Sequence, residues 1–239
     1  PARRGDAAYA RQQGTTAAAV KEGAGTGAKA NLTFGTGGDT GTYYGFGSVL
    51  ANYVSNANDF TVTAVVSGGS KANIEDMDAN DVQLAFAQSD VMSYAFNGER
   101  LFETPIQGFS VVAALYMEQV QIVTTNGAIA SVADLKGKNV SIGAGGSGVY
   151  FNAVDVLQAY GMTEKDIKPV YQSFGDSADS LKDGKIDAAF IVAGAPTTAI
   201  TDLAASGSVY LVSLDDAHIN SLLAASPFYS AYVIPAGTY

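Results

Sequence analysis

From Asn31 onward, short apolar runs alternate with stretches in which apolar positions recur every three or four residues. Leu32–Phe34 reads as a strand, and Phe46, Val49, Leu50, Tyr53 and Val54 follow on one face of a helix. Phe60–Val66 alternates as a strand, Ser70 caps a helix to about Met77, and Val82–Ala87 is a strand again. Ser89–Phe96 is a helix halted by the turn pair Asn97-Gly98, and the apolar run Phe109–Tyr116 predicts a closing strand.

A second series begins near Glu118. Val120–Thr125 is a strand, Ser131–Asp134 has the form of a capping box, and Val140–Ile142 is a buried strand. Val149, Ala153, Val156, Leu157 and Tyr160 form a helix face ended by Gly161. Pro169–Tyr171, Asp176–Asp183 and Ile186–Val192 repeat strand, helix and strand. Pro196 suits the first turn of a helix stopped at Gly207, and Val209–Leu214 with Asp215–Ala225 complete the series. Alternation of this kind predicts an α/β protein with mostly parallel sheets, whose sites lie beyond the carboxyl ends of the strands.

The 239 residues suffice for one large or two modest domains, and 47% of them are hydrophobic. There is no cysteine, which excludes disulfides, zinc–thiolate sites and thiol nucleophiles. No apolar run is long enough to make a membrane-spanning helix. The chain opens on Pro1 without a leader-like pattern, so an exported form is expected to have lost its leader. Residues 1–30 lack apolar periodicity and read as a disordered tail or linker. They hold five of the 13 basic residues, leaving eight against twenty-one acids in the remainder. A body so acidic repels nucleic acid. Its one arginine is Arg100, so a bound anion would depend on backbone N–H groups, hydroxyls and a stray lysine.

Two glycine-rich loops carry the best candidate chemistry, Gly35–Tyr44 and Gly143–Val149, each between a predicted strand and a predicted helix. A helix opened by glycines presents free N–H groups and a positive dipole end, and so suits an anion. Ser67–Ser70, Gln88-Ser89-Asp90 and Ala195-Pro196 put small polar groups at the same sheet edge. Rival readings are weaker. Gly143-x-Gly145-x-x-Gly148 matches the dinucleotide fingerprint, with Glu164 and Asp166 near the place of a ribose-binding acid, but it falls mid-chain. A nicotinamide- or nucleotide-dependent enzyme using that loop is therefore the alternative. Neither loop ends in the Lys-Ser/Thr of a P-loop. Asp76-x-Asp78-x-Asn80 begins like a calcium loop but has Asp81 where glycine is required and Ala87 where glutamate is. His218 is the only histidine, too little for a metal site or a serine triad. No catalytic residue, cofactor or metal is assigned.

Several motifs in order resemble one family: Phe34-Gly-Thr-Gly-Gly-x-x-Gly-x-Tyr-Tyr44, Ser67-Gly-Gly-Ser-x-x-Asn73, Gln88-Ser-Asp90, Ala114-Leu-Tyr116, Asp134-Leu-Lys-Gly-Lys138, Gly146-Ser-Gly148, Asp187-Ala-Ala-Phe190, Gly194-x-Pro196 and Ile234-Pro-Ala-Gly-Thr-Tyr239. Over residues 32–239 the chain resembles TAXI-type solute receptors of TRAP transporters, which have a type II periplasmic-binding-protein fold. The resemblance implies a non-enzymatic, monomeric, extracytoplasmic receptor. It would capture a small carboxylate or amino acid, glutamate or glutamine among them, between two lobes and deliver it to a membrane permease. Lobe one would span 31–116, with 232–239 returning toward it, and lobe two 117–231. Such receptors continue past the Ile234–Tyr239 motif into a segment that completes lobe one, so part of that lobe is expected to be missing. A lipid anchor would be the link to the membrane other than the permease. By the same resemblance the ligand is held by Gly38, Thr40, Tyr43, Ser70, Asn73, Gln88 and Ser89 from the first lobe. Tyr116 comes from the crossing, and Ser147, Gly148, Val149, Ala195 and Pro196 from the second lobe.

Overall fold

The computed structural model describes residues 30–239, so the tail expected at the N-terminus lies, but for Ala30, outside the described residues. Two sheets organise the rest. The first has the order β2-β1-β3, with β1 at Asn31–Gly35, β2 at Thr61–Val65 and β3 at Leu84–Ala85, all parallel. Helices α1 (Thr42–Ala57), α2 (Ser70–Asp78) and α3 (Ser89–Asn97) follow its three strands in turn.

The second sheet has the order β6-β5-β7-β4-β8. Its strands are β4 (Gln119–Thr124), β5 (Asn139–Ser141), β6 (Lys168–Val170), β7 (Ala188–Ala193) and β8 (Tyr210–Leu211). Strand β4 pairs antiparallel with both β7 and β8, so it alone runs against the other four. Helices α4 (Val149–Ala159), α5 (Phe174–Lys182), α6 (Thr198–Ser206) and α7 (Asp216–Ala225) surround it. Strand β7 is buried throughout, as a central strand covered on both faces must be. Ala188, Phe190 and Val192 point into one core with Val140, Ile142 and Leu157. Ala189, Ile191 and Ala193 point into the other with Leu181, Ile200 and Leu203. That is the two-residue side-chain period of a strand.

Three expectations need correction. The apolar run Phe109–Tyr116 is not a strand: residues 102 and 105–118 have no regular structure, and Val111, Val112 and Leu115 are exposed. The run pairs with no strand of either sheet, so its backbone lacks the ladder that would make it one. Of the face expected on helix α1, Leu50 and Val54 pack against the core, but Phe46, Val49 and Tyr53 are exposed, and the residues buried there are Gly47 and Ala51. The small residues win because the helix lies close on the sheet: a Cβ on Gly47 would stand 2.9 Å from both Phe86 and Thr36. Residues 232–239 do not return to the first sheet at their end. The Tyr239 hydroxyl donates to Gln121 Oε1 and accepts from the Thr197 N–H, so the chain's last residue docks on the second.

Local chemistry sets the element ends well. Ser131 and Asp134 form the expected capping box around a short 3-10 turn, and Asp215 caps α7 by accepting from the His218 N–H. His218 stacks on Tyr160 at 3.6 Å and pairs through Nδ1 with Asp215 at 2.6 Å, a surface clasp rather than a metal site. Among the described residues no cluster of histidines and carboxylates could hold a metal ion. Helix α6 starts at Thr198, not at Pro196, which stands before its N-cap Thr197.

Candidate functional site

A cleft of about 580 Å³, counted out to its open mouth, lies between the two sheets' carboxyl edges. Its walls hold the first turns or caps of five helices: Gly41–Tyr43 of α1, Gly69–Ser70 of α2, Gln88 of α3, Gly148–Val149 of α4 and Ser173–Phe174 of α5. The first N–H groups of a helix lack partners within it and are normally met by a Ser, Thr or Asp cap. Here Gly41, Gly69 and Gly148 occupy the cap positions of α1, α2 and α4, and none of these helices has a side-chain cap. Elsewhere Ser131, Thr163 and Asp215 cap their helices though α6 has no side-chain cap, and at the cleft itself Ser173 caps α5. The cleft thus concentrates uncapped donors and positive dipole ends, which suits a ligand carrying negative charge.

The loop at 143–148 has a second role that its sequence does not announce. Its glycines let the two halves touch. The Ala72 N–H at the start of α2 donates to Gly146 O at 3.0 Å across the cleft's floor. A Cβ on Gly68 would stand 3.0 Å from Gly145 O, and one on Gly148 only 1.4 Å from Gln88 Oε1. The approach covers Gly146 and Gly148, whereas Gly145 is exposed with open space beside it. The Ser147 N–H, expected to be free for an anion, instead closes the turn onto Ala144 O at 3.0 Å. Ser147 offers its hydroxyl: it is buried, lines the cleft, and its Oγ has no partner.

A polar chain ties the halves together behind the cleft. Gln88 Nε2 donates to Asn152 Oδ1 at 2.8 Å, and Asn152 Nδ2 donates to Asp90 Oδ2 at 3.0 Å and to the Tyr229 hydroxyl at 2.9 Å. The Tyr229 hydroxyl donates to Asp155 Oδ2 at 2.8 Å, and Arg100 pairs with Asp155 Oδ1 at 2.6 Å while lying over the Tyr94 ring. Burial pushes the Asp90 carboxyl above its ordinary range. Arg100, the one arginine of the described residues, is spent in this chain and does not face the cleft.

No lysine or arginine lines the cleft, and one acid does: Glu118. The Tyr43 hydroxyl donates to its Oε2 at 3.0 Å. Burial drives the Glu118 carboxyl up to about 8; the Tyr43 bond opposes the shift and the charge on Asp90 adds to it. Tyr43 is itself raised, by burial first and then by Glu118. Its ring stacks on Phe86 with centroids 4.9 Å apart and meets Tyr116 edge-on at 6.5 Å.

Of the expected site residues, Gly38, Tyr43, Ser70, Gln88, Ser147, Gly148 and Val149 meet at this cleft. The other six stand outside its lining. Thr40 stands beside Gly175, its buried hydroxyl without a partner. Asn73 is fully buried and donates to the carbonyls of Thr36 and Phe86, so it fastens the first sheet. Ser89 and Pro196 are exposed. Ala195 is tied to Gln119 through its N–H. Tyr116 stands behind Tyr43, its buried hydroxyl unpartnered. Sequence reasoning passed over Thr42, Phe174 and above all Glu118. It looked for ligand groups at strand carboxyl ends. Glu118 precedes the amino end of β4, which reaches the same edge only because β4 is antiparallel and pairs Gln119 with Ala193.

Comparison with known proteins gives a consistent fold. A family model described as the NMT1-like family matches residues 34–239. The alkanesulfonate-binding protein SsuA from Xanthomonas axonopodis pv. citri, bound to MOPS, superposes with a TM-score of 0.53 at 21% identity, over 78% of this chain and 62% of that one. An L-cystine ABC transporter protein from Listeria monocytogenes gives 0.52 at 19% identity, over 77% of each chain. The GluR0 ligand-binding core in complex with L-glutamate gives 0.52 at 13% identity, over 79% of this chain and 80% of that one. The chain therefore spans about three fifths of the length of the first of these. The shared architecture is α/β, with parallel-containing sheets flanked by helices, of the type II periplasmic-binding-protein kind.

Proposed function

Because the chain belongs to the NMT1-like family, we propose that it is a solute receptor. It binds a small carboxylate or amino acid between its two lobes, without turnover. It works outside the cytoplasm and hands its ligand to a membrane permease of the TRAP type. The observation that carries this reading is the convergence of uncapped helix starts, α1, α2 and α4, on one cleft without a catalytic constellation beside them. Helix N-termini take a carboxylate through N–H groups that need no reorganisation. Ser70 and Ser147 add hydroxyls, and Tyr43, Phe174 and Val149 offer apolar surface to an aliphatic stem. Cleft ligands of this kind are small, mostly apolar in contact and held by a few placed polar groups. The permease type comes from the TAXI resemblance, and the similar SsuA, which binds alkanesulfonates, and the Listeria L-cystine transporter protein are in keeping with capture of small solutes.

The test is a thermal-shift panel of L-glutamate, L-glutamine, glutarate, NAD and NADP. A ligand bound only by the native state raises its midpoint. The receptor reading expects a rise with at least one small acid and none with a dinucleotide. A rise with a dinucleotide alone overturns it.

A further inference from the structure

We infer that Glu118 anchors an ammonium group of the captured solute, so that the cleft selects zwitterionic amino acids over carboxylates that lack an amine. This rests on the receptor reading and narrows its ligand class.

Glu118 is the one acid in the cleft lining, and no cation lines the cleft to neutralise it. The charged or titratable groups around it are Tyr43 from α1, Tyr116 from its own segment and Asp90 from α3, none of them a base. Only Oε2 has a bond within the protein, from Tyr43, and that donor favours the ionised form. Oε1 is left for a ligand. Beside it the Tyr43 ring, backed by Phe86, lines the cleft and presents a π-face, which attracts an ammonium. The uncapped starts of α2 and α4, positive dipole ends that suit a carboxylate, line the same cleft, and Ser70 of α2 meets the Tyr43 hydroxyl at 3.4 Å. An acid and helix starts lining one small cleft match a molecule that carries both charges a few ångströms apart. A plain dicarboxylate would bring a second negative charge toward a carboxyl that has no counter-ion.

The pairing has a proton signature. Burial holds the free carboxyl up near 8, so at pH 7 it is mostly protonated. Pairing with an ammonium requires the ionised form, so binding releases a proton. Affinity for an amino acid should then rise by roughly tenfold per pH unit from pH 6 to 7 and level off above about 8. A ligand that accepts a hydrogen bond from the neutral acid would show the opposite slope.

Calorimetry on the full chain tests this with L-glutamate and L-glutamine against 2-oxoglutarate and glutarate. The measurements are made from pH 6 to 9 and in buffers of different ionisation enthalpy. The expected result is at least one amino acid bound on the order of a hundredfold more tightly than its amine-free counterpart, with proton release near pH 7. Glu118→Gln, checked for native circular dichroism, should abolish the proton release and remove most of that preference. Glu118→Asp, which keeps the charge on a shorter stem, should retain part of it. Equal affinity for 2-oxoglutarate, unchanged selectivity in Glu118→Gln, or affinity that falls with rising pH overturns the inference and leaves the receptor reading standing. Absence of binding by all four compounds overturns both.

Discussion

At the scale of single residues, the decisive feature is what glycine permits and what an isolated acid demands. Gly148 is required because a Cβ there would lie 1.4 Å from Gln88 Oε1. Gly148→Ala should therefore weaken ligand binding by at least about tenfold while leaving secondary structure intact, since the clash lies between the halves and not within either. Adding Gln88→Ala should restore part of the loss. A double-mutant cycle by calorimetry that finds the two effects additive would remove the steric explanation. Glu118 makes a stability prediction of its own. Its carboxyl is raised in the native state from 4.5 to about 8, so between those values the native state holds a proton that the unfolded chain has released. Stability falls as pH rises through that window and levels above it. Glu118→Gln has no such slope. Relative to the parent it should gain on the order of 5 kcal/mol by pH 8.5 and nothing at pH 4, read as a difference in urea unfolding free energy. A constant difference across that range would contradict the buried, counter-ion-free acid. The glycines were visible in the sequence, but half their purpose was not, because close approach between distant segments leaves no local pattern. Glu118 was invisible for a related reason: whether a residue before a strand faces a site depends on the strand's direction, and nothing local to Gln119–Thr124 specifies an antiparallel neighbour.

At the scale of elements, hydrophobic spacing and caps were legible where the signal is local. The capping box at Ser131, the cap at Asp215 and the stop at Gly207 lie where short-range hydrogen bonding puts them. Signals that depend on a partner element failed. The Phe109–Tyr116 run has strand composition but pairs with neither sheet, and on α1 Leu50 and Val54 reach the core while Phe46, Val49 and Tyr53 do not, because Gly47 and Ala51 make the closest contact. The network behind the cleft belongs to this second kind, since Gln88, Arg100, Asn152 and Tyr229 are far apart in sequence. Its energetic centre is Asp155, which accepts from both Arg100 and Tyr229. Asp155→Ala would leave the Tyr229 hydroxyl and a guanidinium without their carboxylate. A fully buried pair broken on one side loses roughly 3–5 kcal/mol. Arg100 retains 33% side-chain exposure and can recover water, so about 2 kcal/mol is expected here. Urea unfolding with a loss below about 0.5 kcal/mol would show that α4 is held to the segment after α3 by packing alone.

At the scale of the whole molecule, the two halves meet through backbone at the second glycine loop and through side chains behind it, where Phe151 of α4 is buried among Ile74, Val91 and Tyr94. The Ala72 N–H to Gly146 O bond crosses from α2 to the second glycine loop, and the Gly69 backbone lies against Ser147. An opening at the glycine loop would break the Ala72 bond, while the packing around Phe151 and the polar chain hold the halves together behind the cleft. A ligand touching both walls adds free energy to the closed form alone, and the population shifts by that differential affinity and by no more. The Ala72 amide reports on this directly, because its acceptor lies in the other half and opening frees it to water. Hydrogen exchange at Ala72 should therefore slow when a ligand binds, in proportion to occupancy, while amides inside β7 stay unchanged. In Gly148→Ala the same amide should exchange faster than in the parent even without ligand, because the added methyl opposes closure. Equal protection of Ala72 in the parent, the liganded protein and the variant would mean that the halves form a fixed body. Selectivity would then have to arise in a cleft that does not move.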